Sequence, residues 1–215
     1  YGWYDHYDDW GWSNNDWNNG WQGGSQNSDL VDMARLLTGE WYGPVTYSYL
    51  ADDGQSRQTD KFYADMKFFQ YANTRDALSG EGVETDYKYN DDGSVADQQT
   101  LEFKWYIDDN YDIYIKYKNS GATFVMDYGS SQAGFHLGYE KGHDKDTFWG
   151  YMIGTGSSKG DVIYIDLERV NQTSQAKAFG SSKTSEKTVK SSSSFGKGAT
   201  IKPLKTDSSR LNNRR

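Results

Sequence analysis

The sequence predicts an all-β protein: an antiparallel up-and-down meander barrel of eight or nine strands, opened by a short helix and flanked by irregular tails. Three observations predict it. From Glu40 to Val170 apolar and aromatic residues recur at every second position, the period of a strand with one buried face. Turn clusters separate these runs at short intervals: "ADDGQ", "NDDGS", "DDNYD", "KNSG", "GSSQAG", "KGHDKD" and "GTGSSKGD", as expected of antiparallel hairpins in series. Hydrophobic residues make up only 35% of the chain while aromatics reach 16%. The core is therefore expected to consist mainly of Tyr, Trp and Phe, which favour strands and bury large areas. Closing such a meander into a barrel hides its edges.

The elements follow in order. Residues 28–38 read as a helix, with Ser28 as cap and Asp29 and Asp32 in the first turn, where negative charge suits the helix dipole. Leu30, Met33, Ala34 and Leu37 share one face, and Gly39 is expected to end the helix. Trp41, Val45, Tyr47 and Tyr49 alternate in the first strand, and Phe62, Ala64, Met66 and Phe68 in the second. Residues 85–89, "TDYKY", fall in a third. Leu101, Phe103, Trp105 and Ile107 mark the next, then Ile113, Ile115 and Tyr117, then Phe124 and Met126. Phe135, Leu137 and Tyr139 follow, with "FWGYMI" and "VIYIDLERV" closing the set. The expected barrel interior is Tyr47, Tyr49, Phe62, Met66, Phe68, Leu101, Phe103, Trp105, Ile113, Ile115, Phe124 and Met126. A small barrel's lumen barely admits side chains this large, so a filled interior is expected.

Three regions differ in texture. Residues 1–27 hold five of the eight tryptophans, Trp3, Trp10, Trp12, Trp17 and Trp21, among Asp, Asn and Gly. Residues 28–170 carry the strand pattern. Residues 171–215 form a Ser/Lys-rich segment with ten Lys or Arg against Glu186 and Asp207, on a chain of net charge −8. Neither flank has the apolar content to offset its ordering entropy, so both are expected to be mobile in isolation and to order on a partner. The acidic body argues against nucleic acid as a partner. Cys is absent, which excludes disulfides, thiol nucleophiles and cysteine-zinc sites. The first residue is Tyr1; a removed signal peptide and a trimmed start are both compatible with that.

A helix, then Gly39-x-Trp41 at the head of the first strand, then a meander, then Arg169 in the last strand resembles the lipocalin (calycin) pattern. The resemblance covers roughly residues 28–170 and extends to lipocalin-like domains of bacterial envelope lipoproteins. It implies that Trp41 lies across the closed end of the barrel with Arg169 packed on it, both structural. The family's Thr-Asp-Tyr motif belongs to a late loop, whereas "TDY" here falls in the third strand, so this match is read as coincidence.

Nothing points to catalysis. His6 sits in the N-terminal segment, His136 alternates with Phe135 and Leu137, and His143 lies in a turn; no nucleophile–base–acid set is visible among them. Asp52–Asp53, Asp91–Asp92 and Asp108–Asp109 lack the alternating spacing of a calcium loop. No metal, cofactor or enzyme activity is expected. The expected function is that of a non-catalytic extracytoplasmic binding protein, an accessory subunit held to a protein partner through its tails. Two alternatives stay open: a carrier of a small apolar ligand, and a glycan-binding or adhesive module using the N-terminal tryptophans. A membrane would be reached only through a lipid anchor outside this chain.

Overall fold

The computed structural model describes residues 28–70, 78–170 and Phe195. The N-terminal tryptophans, His6 and the side chain of Ser28 lie outside the described residues, as do all of 171–215 but Phe195.

Helix α1 (Ser28–Leu37) is followed by β1 (Gly39–Leu50), β2 (Arg57–Gln70), β3 (Ser79–Tyr89), β4 (Val95–Ile107) and β5 (Ile113–Tyr117). Then come β6 (Thr123–Met126), β7 (Phe135–Glu140), β8 (Lys145–Thr155) and β9 (Val162–Arg169). All pairings are antiparallel. The sheet runs β6-β5-β4-β3-β2-β1-β9-β8-β7 and closes through a further β6–β8 pairing. The result is an eight-strand meander barrel plus one extra strand. Strands β6 and β7 share one edge of β8: β6 pairs at Ile153–Thr155, and β7 at Lys145–Gly150.

The alternation read from the sequence is the inward face. Trp41, Val45, Tyr47, Phe62, Met66, Phe68, Leu101, Phe103, Trp105, Ile113, Ile115, Phe124 and Met126 are buried in one core cluster, joined by Phe148, Met152, Ile163, Ile165 and Leu167. Tyr49 is a correction: it is only partly buried and its hydroxyl donates to Gln58 Oε1 at 3.0 Å. It stands where β1 runs out past the interior, so it borders the core and does not fill it.

Leu30, Ala34 and Leu37 of α1 are buried against this cluster, with Met33 partly so. The helix ends at Leu37, and Thr38 turns back, its amide and Oγ1 both donating to the Ala34 carbonyl. Gly39 has φ 128° and is already paired with Phe68. It therefore forms the corner into β1, in a conformation that side chains with a Cβ rarely adopt.

Strand β3 makes room for the aromatic interior. A Cβ at Gly82 would stand 2.1 Å from Phe103 Cζ. Its absence lets the Phe103 ring lie against β3, and glycine in a strand interior commonly marks such an approach. The rings then pack edge to face, with Phe68–Phe103 centroids at 5.0 Å and Phe68–Phe148 at 6.0 Å.

Candidate functional site

The two ends of the barrel are built differently. At the end covered by α1, the Arg169 guanidinium stands 4.2 Å from the Trp41 ring centroid, a cation–π contact in a largely dry setting. Arg169 Nε donates to Asp146 Oδ2 at 2.8 Å, Nη1 to the Thr38 carbonyl at 3.1 Å, and Nη2 to the Leu36 carbonyl. Trp41 Nε1 donates to the Leu37 carbonyl at 2.9 Å. These are the carbonyls a helix C-terminus leaves unpaired, and a cation there also suits the dipole. Gly39, Trp41 and Arg169 thus hold the helix as a lid on this end. Their role is structural.

The opposite end holds a buried polar layer inside the barrel. Glu84 and Asp86 sit two residues apart on the inward face of β3, opposite Leu101 and Gln99 of β4. Tyr117 Oη donates to Glu84 Oε2 at 2.6 Å, and Gln99 Nε2 donates to Asp86 Oδ2 at 2.7 Å. Tyr47 Oη donates to Asp161 Oδ2 at 2.9 Å. Glu84, Asp86, Gln99 and Asp161 are all buried.

Burial pushes the Glu84 carboxyl above the usual range, and hydrogen bonds from Asp86 and Tyr117 only partly offset it. Burial therefore favours the protonated form of Glu84, beside the Asp86 carboxyl. Tyr117 is raised far above an ordinary phenol, first by burial and then by the charge on Glu84; it stays a donor. Gln99 Oε1 has no hydrogen-bond partner among the described residues. The layer is therefore rich in hydrogen-bond acceptors that are costly to bury.

Above this layer Lys88 Nζ pairs with Asp60 Oδ1 at 2.7 Å. Phe195 lies here, fully buried and part of the core cluster. Its ring meets Phe62 edge to face at 5.6 Å, and Lys88 Nζ stands 5.4 Å from its centroid. This differs from the expectation for residues 171–215, which gave that segment no contact with the barrel. One aromatic ring of that segment packs against Phe62 of β2 and Lys88 of β3.

The outer wall carries a second feature. Tyr42, Tyr63, Tyr87 and Tyr89 cluster across β1, β2 and β3: Tyr42–Tyr63 and Tyr87–Tyr89 stack at 5.9 Å, and Tyr63–Tyr89 meet edge to face at 5.4 Å. The Tyr42 and Tyr89 hydroxyls are 2.9 Å apart, and Tyr63 and Tyr89 are exposed.

The remaining sequence candidates fall elsewhere. His136 stacks on Trp149 at 5.4 Å. His143, expected to lack converging partners, instead faces Glu168 Oε1 at 3.1 Å, because β9 runs beside β8 and brings Glu168 to the same exposed surface. Lys145 Nζ holds the other oxygen of Glu168 at 2.9 Å. Asp53, Asp92 and Asp108 accept backbone amides of their own turns, the role that aspartate plays in an Asx turn. No group of three or more His, Asp or Glu side chains disposed to hold a metal occurs among the described residues.

Sequence reasoning missed Glu84, Asp86, Gln99, Tyr117, Asp161 and Phe195 as site residues. The available signal was the position of "ETD" within a strand whose other face, Val83, Thr85 and Tyr87, is no more polar. No family model, no curated protein and no solved structure matches this chain.

Proposed function

We propose that this chain is a non-catalytic extracytoplasmic binding protein with a lipocalin-like barrel, which recognises a macromolecular partner and does not carry an apolar ligand in its lumen. The lipocalin likeness rests on Gly39, Trp41 and Arg169 gathered under the N-terminal helix, and the extracytoplasmic setting rests on that likeness. One observation carries the choice of partner over ligand. The interior is occupied along its length by fully buried rings: Trp41, Phe148, Phe68, Phe103, Trp105, Tyr117 and Phe124. What remains polar inside is lined by carboxyls, which repel an apolar guest by their desolvation cost.

The test is titration of full-length protein with a fluorescent fatty acid, beside native mass spectrometry of the protein isolated from its source. No saturable fatty-acid binding and a stoichiometric protein partner are expected. Saturable fatty-acid binding would return the protein to the carrier reading.

A glycan partner is the second reading, favoured by the exposed Tyr42–Tyr63–Tyr87–Tyr89 cluster, since phenol rings and hydroxyls suit sugar faces and hydroxyls. Affinity electrophoresis in polysaccharide gels tests it. Retardation that disappears in Tyr63→Ala and Tyr89→Ala supports it, and unchanged mobility in every gel rejects it.

A further inference from the structure

We infer that Tyr42 of β1 and Tyr89 of β3 form a site of oxidative phenol coupling, at which a haem peroxidase using hydrogen peroxide joins the two strands through a carbon–carbon dityrosine bond. The inference stands apart from the binding reading above. The two hydroxyls are 2.9 Å apart although the residues are separated by 47 positions in the chain, and β2 lies between their strands. Tyr63 of β2 spans that gap, stacking on Tyr42 at 5.9 Å and meeting Tyr89 edge to face at 5.4 Å. Tyr87 stacks on Tyr89 at 5.9 Å. Both rings are held by their neighbours while their hydroxyls meet. Tyr89 is 39% exposed, so an electron can leave the pair to an oxidant at the outer wall.

A phenoxyl radical carries much of its unpaired spin on the carbons ortho to oxygen, and phenols couple there. Each ortho carbon is two bonds from its own hydroxyl oxygen, so hydroxyls in contact bring the ortho carbons of the two rings near each other. In the product the two hydroxyls flank the new bond side by side, much as the hydrogen bond already sets them. Each phenol gives up one electron and its hydroxyl proton, and the two radicals join ortho carbon to ortho carbon. The hydrogen on each joined carbon then moves to its oxygen as a proton. The two electrons and two protons released reduce one hydrogen peroxide to two waters. Burial, with the Tyr89 hydrogen bond second, raises the Tyr42 phenol, so it enters with a proton to lose beside the electron.

Other tyrosines separate contact from exposure. Tyr106 and Tyr114 stack at 4.5 Å, but both are buried and the Tyr114 hydroxyl donates to Asp108. Tyr128 and Tyr139 are more exposed than Tyr89, and the Tyr139 hydroxyl donates to Asp144. The chain has no cysteine, so no disulfide can tie its strands. A bond from Tyr42 to Tyr89 ties β1 to the end of β3 and restricts the unfolded chain more than the folded one, as a disulfide does.

The test treats dilute full-length protein with a haem peroxidase and limiting hydrogen peroxide, then reads tryptic peptides by mass spectrometry. The expected product joins residues 36–57 to residues 89–104, at the summed mass less two hydrogen atoms, in protein that stays monomeric. Fragment ions are expected to place the bond at Tyr42 and Tyr89. Tyr42→Phe keeps the ring and is expected to lower the yield of that product at least about tenfold. Tyr49→Phe, in the same peptide, is expected to leave the yield unchanged. Three results overturn the inference. One is an absent product in the wild type, or an undiminished one in Tyr42→Phe. Another is coupling chiefly at other tyrosines or between molecules, which means that exposure alone selects the sites. The third is an equal yield of the same product from urea-unfolded protein, which means that the fold does not bring these phenols together.

Discussion

The two ends of the barrel bury charge by opposite means. Under the helix, one guanidinium is matched to one carboxylate, two backbone carbonyls and one indole face. Each polar atom there has a fixed partner, and the cost of burying the charge is offset locally. At the other end the carboxyls outnumber the cations: Glu84, Asp86 and Asp161 lie buried in the layer, and Lys88 is engaged by Asp60. Burial that favours a protonated Glu84, and the Tyr117 phenol that donates to it, stand in for the missing positive charge. The first arrangement resists change. The second is open to a change of protonation.

The sharpest way to break this comparison is at the fixed end. Trp41→Ala is expected to cost about 3–5 kcal/mol, as large core truncations do, measured by urea denaturation. A loss below about 1 kcal/mol would deny the closed end its structural role. Arg169→Met keeps much of the stem but abandons Asp146 and the helix carbonyls; it is expected to cost about 2–3 kcal/mol, the scale of charged hydrogen bonds.

The pH dependence comes next and belongs to carboxyls raised by burial inside and outside the layer: Glu84 within it, Asp65 beside Glu40, and Asp112 in the β4–β5 turn. Glu84 is raised by burial, and Asp65 and Asp112 are raised to about 7, Asp65 by burial and then Glu40, Asp112 mainly by burial. A carboxyl whose folded value lies above its unfolded one binds its proton more tightly in the folded state. Stability is then fully present at pH near 4 and is lost as pH rises through about 7. The expected loss between pH 5 and 8 is roughly 1–2 kcal/mol after solvent screening, followed as melting temperature against pH. Glu84→Gln is expected to flatten the slope. A steeper slope in that variant would contradict a Glu84 carboxyl raised by burial.

Phe195→Ala is expected to cost about 1–2 kcal/mol, because freeing residue 195 returns conformational entropy that offsets part of the lost burial. A loss of about 3 kcal/mol or more would put the ring on a par with the strand-borne core rings. The smallest effect is expected from deleting residues 1–27, within about 0.5 kcal/mol of the parent chain, since their Asp-, Asn- and Gly-rich sequence is expected to be mobile in isolation.

What the sequence made legible follows from the same contrast. The closed end was readable because Gly39, Trp41 and Arg169 are distinctive residue types at distinctive places in a meander. The strands were readable wherever apolar residues marked the inward face, as in Phe62, Ala64, Met66 and Phe68. Strand β3 keeps the period of two but reverses its usual polarity: Glu84 and Asp86 point inward while Val83 and Tyr87 face out. Periodicity shows that two faces differ and is silent on which one is buried, so the polar layer could not be located. Phe195 was illegible for another reason. It is a lone ring in a Ser, Gly and Lys run, and its slot exists only once β2 and β3 are paired.

The closure of the barrel has a consequence for how the chain folds. Hairpins β1–β2, β3–β4 and β7–β8 join neighbours and can form early, since their loops are short. The β1–β9 pairing, by contrast, unites the beginning and end of the meander, and the Arg169–Thr38 bond spans 131 residues. The other seam, between β6 and β8, has only three register pairs: Thr123↔Thr155, Phe124↔Gly154 and Val125↔Ile153. One seam is thus late and the other is slender. Until both are made, the meander is an open sheet with bare strand edges, the state most prone to joining another chain. The short β6–β8 seam is also where a finished barrel would unzip first, and it adjoins the polar layer: the Gly154 amide donates to the Asp161 carbonyl at 2.8 Å and the Phe124 ring meets Tyr117 at 5.9 Å.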